Sequence, residues 1–163
     1  MASTSRKENQ PIYILHSYPF KETSLIVEIL SKDFGRIALV AKGARRPKSS
    51  LRGMLLPFQS LHATWSGLQD LKTLHNVDWS NAFLAIEGDA LVCGFYLNEL
   101  IMRLVPKDDP YPRLYDFYHK TILALTKNKS LNMILRRFEL RLLQEIGYEV
   151  PLKNDIQGSI IDP

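Results

Sequence analysis

The stretch SLIVEILSKDFGRIALVAK, residues 24–42, sets the fold of the first half of this chain. It begins with an apolar run that is rich in β-branched side chains and too short for a typical helix. The segment KDFG, 32–35, then provides a turn, since Gly35 can adopt a positive φ at no steric cost. In the run that follows, alternate residues share one face, namely Ile37, Leu39 and Ala41. The stretch therefore predicts a β-hairpin.

Strand patterns flank this hairpin on both sides. PIYIL at 11–15 precedes it, and residues 58–65 and 71–79 follow it as two further strands. The last strand is expected to present alternate residues on one face, namely Leu71, Thr73, His75, Val77 and Trp79. A loop that contains glycine and proline, residues 43–50, makes the link after the third strand long. Five short strands with this spacing favour an OB-fold barrel, and an SH3-like barrel is the alternative that strand counting leaves open.

The apolar pattern changes its period in the second half of the chain. Residues 82–105 are almost entirely apolar and are followed by Pro106, which predicts a buried central helix. A second helix is predicted from Pro112 to about residue 127, with proline in its first position. A third helix is predicted from a Ser130 cap to Gly147.

These patterns together predict an α+β chain in which the β and α parts are separate. We expect a five-stranded OB-fold barrel over residues 1–79 and an all-helical domain over residues 80–163. Beyond residue 148 the sequence turns polar and irregular, and we expect the helical domain to be incomplete at its C-terminus.

Composition limits the classes of protein that this chain can represent. Its hydrophobic content of 45% is typical of a globular chain, and no apolar run reaches the roughly 18 residues of a membrane span. Cys93 is the only cysteine, so neither an internal disulfide nor a site built from several cysteines is predicted. The polar residues 1–10 lack the apolar stretch of a secretory signal, and we expect a cytoplasmic protein.

No catalytic centre is recognisable in the sequence. The patterns GxxxxGK[ST], GxSxG and HExxH, which mark phosphate-binding loops, serine hydrolases and zinc peptidases, are all absent. The histidines do not have the spacing of metal ligands. We therefore expect a non-enzymatic protein with no cofactor and no metal.

The net charge of +4 is distributed unevenly. Residues 1–79 carry 11 Lys and Arg against 6 Asp and Glu, whereas residues 80–163 carry 10 against 11. One window of the first part contains no acid and six basic residues, namely Arg36, Lys42, Arg45, Arg46, Lys48 and Arg52. Such a concentration of positive charge indicates an anionic partner, and the alternative is an ordinary solvated loop.

Six segments, taken in order along the chain, resemble the RecO family of DNA repair and recombination mediator proteins. They are ILHSYPFKETSL (14–25), GRIALVAKGARRP (35–47), LRGMLLPF (51–58), GFYLNEL (94–100), PKDDP (106–110) and LRRFELRLL (135–143) with Gly147-Tyr148. Each segment alone is weakly specific. Their order and their spread over nearly the whole chain make the resemblance specific.

The resemblance implies an N-terminal OB domain that binds single- and double-stranded DNA, and a helical domain that meets protein partners. Members of the family anneal strands coated with single-stranded DNA-binding protein, and they act with RecR to load the recombinase RecA. It also implies a cytoplasmic location in association with the nucleoid. The chain departs from the family in two ways. Many relatives continue past its endpoint, and some carry a four-cysteine zinc site for which this chain lacks the cysteines.

Three groups of residues are candidates for binding. Six basic residues are expected to contact phosphates, namely Arg36, Lys42, Arg45, Arg46, Lys48 and Arg52. Phe34, at the predicted hairpin tip, is a candidate platform for base stacking, with core packing as the alternative. The resemblance implies that the helical domain receives the acidic C-terminal tail of single-stranded DNA-binding protein. Its candidate contacts are Arg136, Arg137 and Arg141, unless they form an ordinary solvated face with Glu139 and Glu145.

The sequence therefore favours a recombination mediator that acts by binding DNA. Two alternatives remain open at this point. One is an RNA-binding OB module, because a basic barrel suits either polymer. The other is a protein-interaction adaptor whose basic loop docks an acidic partner.

Overall fold

The first half of the chain is a closed five-stranded barrel in the computed structural model, which describes residues 5–127 and 130–148. The strands are β1 (Arg6–Phe20), β2 (Ser24–Ser31), β3 (Gly35–Ala41), β4 (Ser60–Ser66) and β5 (Leu71–Trp79). Around the ring they follow the order β1-β2-β3-β5-β4, and β3 runs parallel to β5. This is the five-stranded Greek-key order of the OB-fold. The predicted fold class is confirmed, and the SH3-like alternative does not fit.

The first strand is three times as long as the sequence pattern predicts. Its first half, from Arg6 to Tyr13, pairs with β4, and its second half, from Ile12 to Phe20, pairs with β2. The polar residues at the start of the strand do not show the alternation of a half-buried strand. These residues form a strand because their backbone pairs with β4, and no local sequence pattern predicts this pairing.

The last strand contains a β-bulge that changes which residues face the core. Thr64 pairs with Asn76 and Trp65 with Leu74, so His75 is an extra residue in β5. Leu74 and Val77 are buried in the barrel, although they are three positions apart. The prediction that residues 71–79 present one regular face was therefore wrong, because the bulge reverses the alternation at its position.

In the described part of the chain, four helices follow or interrupt the strands, namely α1 (Leu51–Met54), α2 (Gly88–Leu104), α3 (Pro112–Thr126) and α4 (Leu131–Glu145). The sequence did not predict α1, a single turn between β3 and β4. Leu51, Met54 and the following Leu55 pack on the barrel core. This turn therefore covers the barrel interior at the end where β3 finishes.

The predicted helix over 82–105 begins six residues late, at Gly88. The N–H of Leu84 donates to the Gln59 side-chain oxygen, and the Gln59 amide donates to the Leu84 carbonyl, both at 3.1 Å. These two bonds engage the backbone groups of Leu84 outside any helix. The prediction that this helix is buried on all sides was also wrong. Val92 is 68% exposed and Phe95 is 47% exposed, because only one stripe of α2 meets the rest of the protein.

The other two helices lie where the sequence predicts them. Pro112 is the first residue of α3, and α4 ends in a Schellman motif with Gly147 at φ +92°. In this motif Gly147 and Tyr148 donate N–H bonds to the carbonyls of Gln144 and Leu143. Ser130 precedes α4, but its side chain makes no capping bond because its backbone is left-handed. The predictions for the residues after 148 lie outside the described residues.

The helices and the barrel share one of the two hydrophobic clusters. Tyr13, Leu15, Leu30 and Phe58 from the barrel pack into the cluster formed by α2, α3 and α4. The Asn98 side chain in α2 donates to the Leu15 carbonyl at 2.8 Å and accepts from the Tyr118 hydroxyl at 2.5 Å. Burial raises the pKa of the Tyr13 phenol to about 12, and it also raises the pKa values of Tyr115 and Tyr118. The barrel is therefore joined to the helices by buried contacts, both apolar and polar.

No helix within residues 5–127 and 130–148 is long and apolar enough to cross a membrane.

Candidate nucleic-acid interface and partner groove

The basic loop after β3 is held in a defined position on the barrel. Ala44 is fully buried in the barrel core, which fixes the start of the loop. The N–H of Arg45 donates to the Thr23 carbonyl at 2.9 Å, and its guanidinium donates to the carbonyls of Lys21 and Glu22 at 3.3 and 3.2 Å. These bonds tie the loop to the turn between β1 and β2. The loop therefore presents its side chains from a fixed backbone.

Six cations project at this end of the barrel. They are Lys21, Lys42, Arg45, Arg46, Lys48 and Arg52, and we call this surface the basic end. All six are exposed, and none forms an ion pair with a carboxylate of residues 5–127 or 130–148. Cations that have no acidic partner in the fold keep their full attraction for an outside anion. Lys21 was missed by the sequence analysis, because strand pairing alone brings it beside Arg45.

Arg36 does not belong to this surface. Its guanidinium donates to the Val105 carbonyl at 3.0 Å and pairs with Glu28 at 3.3 Å, and the side chain is only 14% exposed. Lys107 also lies 3.3 Å from the Glu28 carboxylate. The Arg36 side chain therefore binds groups at the contact between the barrel and the helices. The other five predicted basic residues do not.

Phe34 is half-buried and not a free platform at the hairpin tip. Its ring packs edge-on against Trp65, with ring centroids 5.6 Å apart. The Lys7 ammonium lies 4.9 Å from the centroid of the same ring. The barrel core thus uses this side chain, as the alternative interpretation of the sequence held.

The outer face of β2 and β3 is covered. Many OB-folds bind oligonucleotides on this face. Here Glu28, Leu30 and Ala38 are buried, and the N–H of Asp108 donates to the Arg36 carbonyl at 2.9 Å. The segment between α2 and α3 therefore lies where a ligand would otherwise cross the strands. The basic end remains the exposed cationic surface of the barrel.

The three arginines predicted for partner binding are not brought together. Arg136 pairs with Glu139 at 2.6 Å, and Arg141 pairs with Glu145 at 2.9 Å. Glu139 also accepts from the Tyr96 hydroxyl at 2.8 Å, and this hydrogen bond raises the pKa of that phenol. Arg137 points elsewhere and lines a groove between α3 and α4.

This α3–α4 groove combines an apolar floor with a basic rim. The floor residues are Phe117, Thr121, Ala124, Met133 and Ile134. The rim residues are Lys120, Lys127 and Arg137. Neither lysine was predicted, although Lys120 in α3 and Lys127 directly after α3 are seven residues apart, a spacing that puts them on one side of the helix.

Within the described part of the chain, no group of three or more histidine, cysteine, aspartate or glutamate side chains is arranged to hold a metal ion.

Comparisons with known proteins cover nearly the whole chain. The family model described as recombination protein O N terminal matches residues 6–83, and the one described as recombination protein O C terminal matches residues 87–161. The chain is 50% identical over 161 residues to the DNA repair protein RecO of Chromobacterium violaceum, covering 99% of this chain and 66% of that protein. It is also 50% identical to the DNA repair protein RecO of Nitrosospira multiformis and 46% identical to that of Dechloromonas aromatica, covering 66% and 67% of those proteins. The chain thus spans about two thirds of the length of these relatives.

Proposed function

The chain belongs to the RecO family, and from that premise we propose that it acts in DNA repair as a DNA-binding recombination mediator. It binds single- and double-stranded DNA, promotes annealing of complementary strands, and helps a RecR partner to load recombinase. The basic end of the barrel is the observation that carries this proposal. It combines exposed cations, no acidic partners among the described residues, and a loop backbone tied to the neighbouring turn.

The proposed chemistry is binding without a reaction. Lysine and arginine at the basic end neutralise phosphates and release condensed counterions, which supplies affinity for any sequence. Two complementary strands held on this surface repel one another less, and base pairing then provides the favourable free energy of annealing. Arg45 contributes by fixing the loop as well as by its charge. We leave Arg36 and Phe34 out of the contact set because their side chains are engaged within the fold.

The first prediction concerns the double substitution Arg46→Glu/Lys48→Glu. We expect the affinity for labelled single-stranded DNA to fall by about 100-fold at low salt, because two cations become two anions. In the wild-type protein the logarithm of the affinity should fall steeply with the logarithm of the salt concentration. In the variant this slope should become shallower by about 1.4, since each lost phosphate contact removes roughly 0.7 on a single strand. Fluorescence anisotropy over a salt series measures both quantities.

A matched control is Lys120→Glu/Arg137→Glu, which changes the net charge equally but lies in the α3–α4 groove. This control should keep most of the DNA affinity. Equal losses in both variants would show a response to net charge and contradict the basic end as the DNA site. Wild-type binding to RNA that exceeds binding to DNA of the same sequence would favour the RNA-binding alternative.

For the α3–α4 groove we propose the acidic, apolar-ended C-terminal tail of single-stranded DNA-binding protein as the ligand. Carboxylates of such a tail suit Lys120, Lys127 and Arg137 on the rim, and charge-assisted hydrogen bonds to carboxylates are strong. Its terminal apolar side chain suits the floor beside Phe117 and Ile134. Arg136 and Arg141 have their own carboxylate partners and take no part in the proposed contact.

The second prediction separates these arginines. Arg137→Ala should weaken binding of a labelled tail peptide about tenfold, which corresponds to the loss of one charge-assisted contact. Arg136→Ala should change the affinity less than twofold, because this side chain already pairs with Glu139 outside the groove. The loop variant Arg46→Glu/Lys48→Glu should bind the peptide normally. A larger loss with Arg136→Ala than with Arg137→Ala would overturn the groove assignment.

A RecR-like partner and a cytoplasmic location at the nucleoid also belong to the proposed role. Membership of the family supports both proposals, because other members are expected to share this role. Co-sedimentation of the chain with purified RecR, with and without DNA, tests the first of these. A fluorescent fusion that follows the stained nucleoid in cells tests the second.

A further inference from the structure

Two exposed aromatic side chains lie next to each other where β5 ends. Trp79 is 42% exposed and Phe83 is 59% exposed. Their ring centroids are 6.3 Å apart and their planes are inclined at 74°, which is an edge-to-face arrangement. An edge-to-face contact covers one face of one ring and leaves the remaining faces of the two rings free of that contact. Leaving two large aromatic rings in water forgoes the hydrophobic stabilisation that their burial would give.

The strand register brings this aromatic pair to the same end of the barrel as the basic end. Because β3 and β5 are parallel, both strands finish at one end, and the basic loop follows β3 there. The turn α1, which carries the exposed Arg52, contacts β5. Pairing of Trp79 with Leu61 puts the start of β4 at this end as well. The aromatic pair and the cations therefore border the same opening of the barrel.

Four other aromatic side chains of the barrel pack in hydrophobic clusters. Tyr13, Phe58 and Trp65 are buried. Phe34 is half-buried against Trp65. Tyr18 is 39% exposed, but its aromatic neighbour is the His16 imidazole, with ring centroids 6.0 Å apart. Among residues 5–83, Trp79 and Phe83 are therefore the neighbouring pair of exposed aromatic rings in which neither ring is a histidine.

We propose that Trp79 and Phe83 form a stacking platform for unpaired bases of single-stranded DNA, beside the backbone track of the basic end. This inference rests on the proposed DNA binding and names the strand form that the site prefers. Every base presents a π face, so stacking on such a platform is independent of sequence. Paired bases inside a duplex cannot reach it, and duplex DNA is held by the cations alone.

The test compares single-stranded and duplex DNA of the same sequence in anisotropy titrations with the full chain. The variant Trp79→Ala/Phe83→Ala should lose affinity for single-stranded DNA about tenfold, as removal of a stacked base does in comparable sites. Its affinity for duplex DNA should stay within twofold of the wild type. Trp79→Phe keeps an aromatic ring and should retain most of the single-strand affinity. Leu68→Ala serves as the control, because Leu68 is 71% exposed and lies in the connection at the opposite end of the barrel.

Tryptophan fluorescence gives a second readout that needs no substitution. The chain has two tryptophans, and Trp65 is only 1% exposed. Stacking of a base on Trp79 should therefore quench the exposed part of the emission when oligothymidine is added. An abasic oligonucleotide of equal length and charge should bind with little quenching.

The outcomes separate this inference from the proposal on which it rests. If the wild type binds DNA, the charge-reversed loop variant does not, and Trp79→Ala/Phe83→Ala weakens both strand forms equally or neither, the stacking platform is wrong and the DNA site stands. If abasic and natural oligonucleotides quench equally, the platform is also wrong. If the wild type binds no DNA, the proposed function itself fails. A melting temperature near that of the wild type shows that the double alanine variant is folded.

Discussion

Gly35→Ala is expected to lower the free energy of unfolding by about 2–5 kcal/mol. Gly35 has φ +72°, where an alanine costs about 1–2 kcal/mol. A β-carbon at this position would also overlap the backbone carbonyl of Asp109, and the segment from 105 to 109 would have to move off the barrel. Overpacking of this kind costs about 1–3 kcal/mol more. Urea denaturation followed by circular dichroism measures the loss.

Gly88→Ala separates the two causes. Gly88 also has a positive φ, +58°, but an added β-carbon there meets no atom within 4 Å. This control should lose only the backbone contribution, about 1–2 kcal/mol. Equal losses for the two variants would show that the approach of Asp109 to Gly35 contributes nothing to stability.

Asn98→Leu is expected to lower the free energy of unfolding by about 2–6 kcal/mol. Asn98 is buried and joins the barrel to the helices through the Leu15 carbonyl and the Tyr118 hydroxyl. Leucine fills a similar space but leaves both of these buried polar groups without a partner. Each unsatisfied buried group costs about 1–3 kcal/mol. The same denaturation experiment measures this loss.

A double-mutant cycle with Tyr118→Phe tests that mechanism. Tyr118→Phe alone removes the hydroxyl and leaves the Asn98 oxygen unpaired. In Asn98→Leu/Tyr118→Phe, the leucine faces a phenylalanine, and only the Leu15 carbonyl lacks its bond. The double variant should therefore be more stable than the sum of the single losses implies. Strict additivity would mean that the hydrogen bond between the two side chains contributes nothing.

The sequence predicted the positive charge of the candidate site, but it did not predict which residues belong to the site. The basic window is visible along the chain because its residues are close in sequence and have no acid between them. Whether each cation is available to a ligand depends on its neighbours in space. Glu28 comes eight residues before Arg36 and still neutralises it, because the two strands are paired. Lys21 joins the site because β2 pairs with β3, which brings the turn before β2 beside the loop after β3.

Similar reasons explain the errors in the helical part. Arg136, Arg137 and Arg141 look alike in sequence, since all lie off the apolar stripe of α4. Two of them have acidic partners three or four residues ahead on the same helix, and such partners can be found by counting. The proposed role of Arg137 depends on Lys120 in α3 and Lys127 directly after it, and only the packing of α3 against α4 brings these residues to one groove.

The sequence by itself determined the α+β fold class and the approximate positions of the five strands and of the three long helices. Alternation in residues 24–42, the helical stripes after Pro112 and the concentration of basic residues are local patterns, and local propensity and charge report them directly. Only the tertiary structure decided the bulge at His75, the late start of α2 and the covered face of β2 and β3. It also decided that Trp79 lies at the same end of the barrel as the basic end. These features arise from contacts between residues far apart in the chain, such as Gln59 with Leu84 and Arg36 with Val105. The free energy of such a contact depends on which residues are close in space. The spacing of residues along the sequence does not show this.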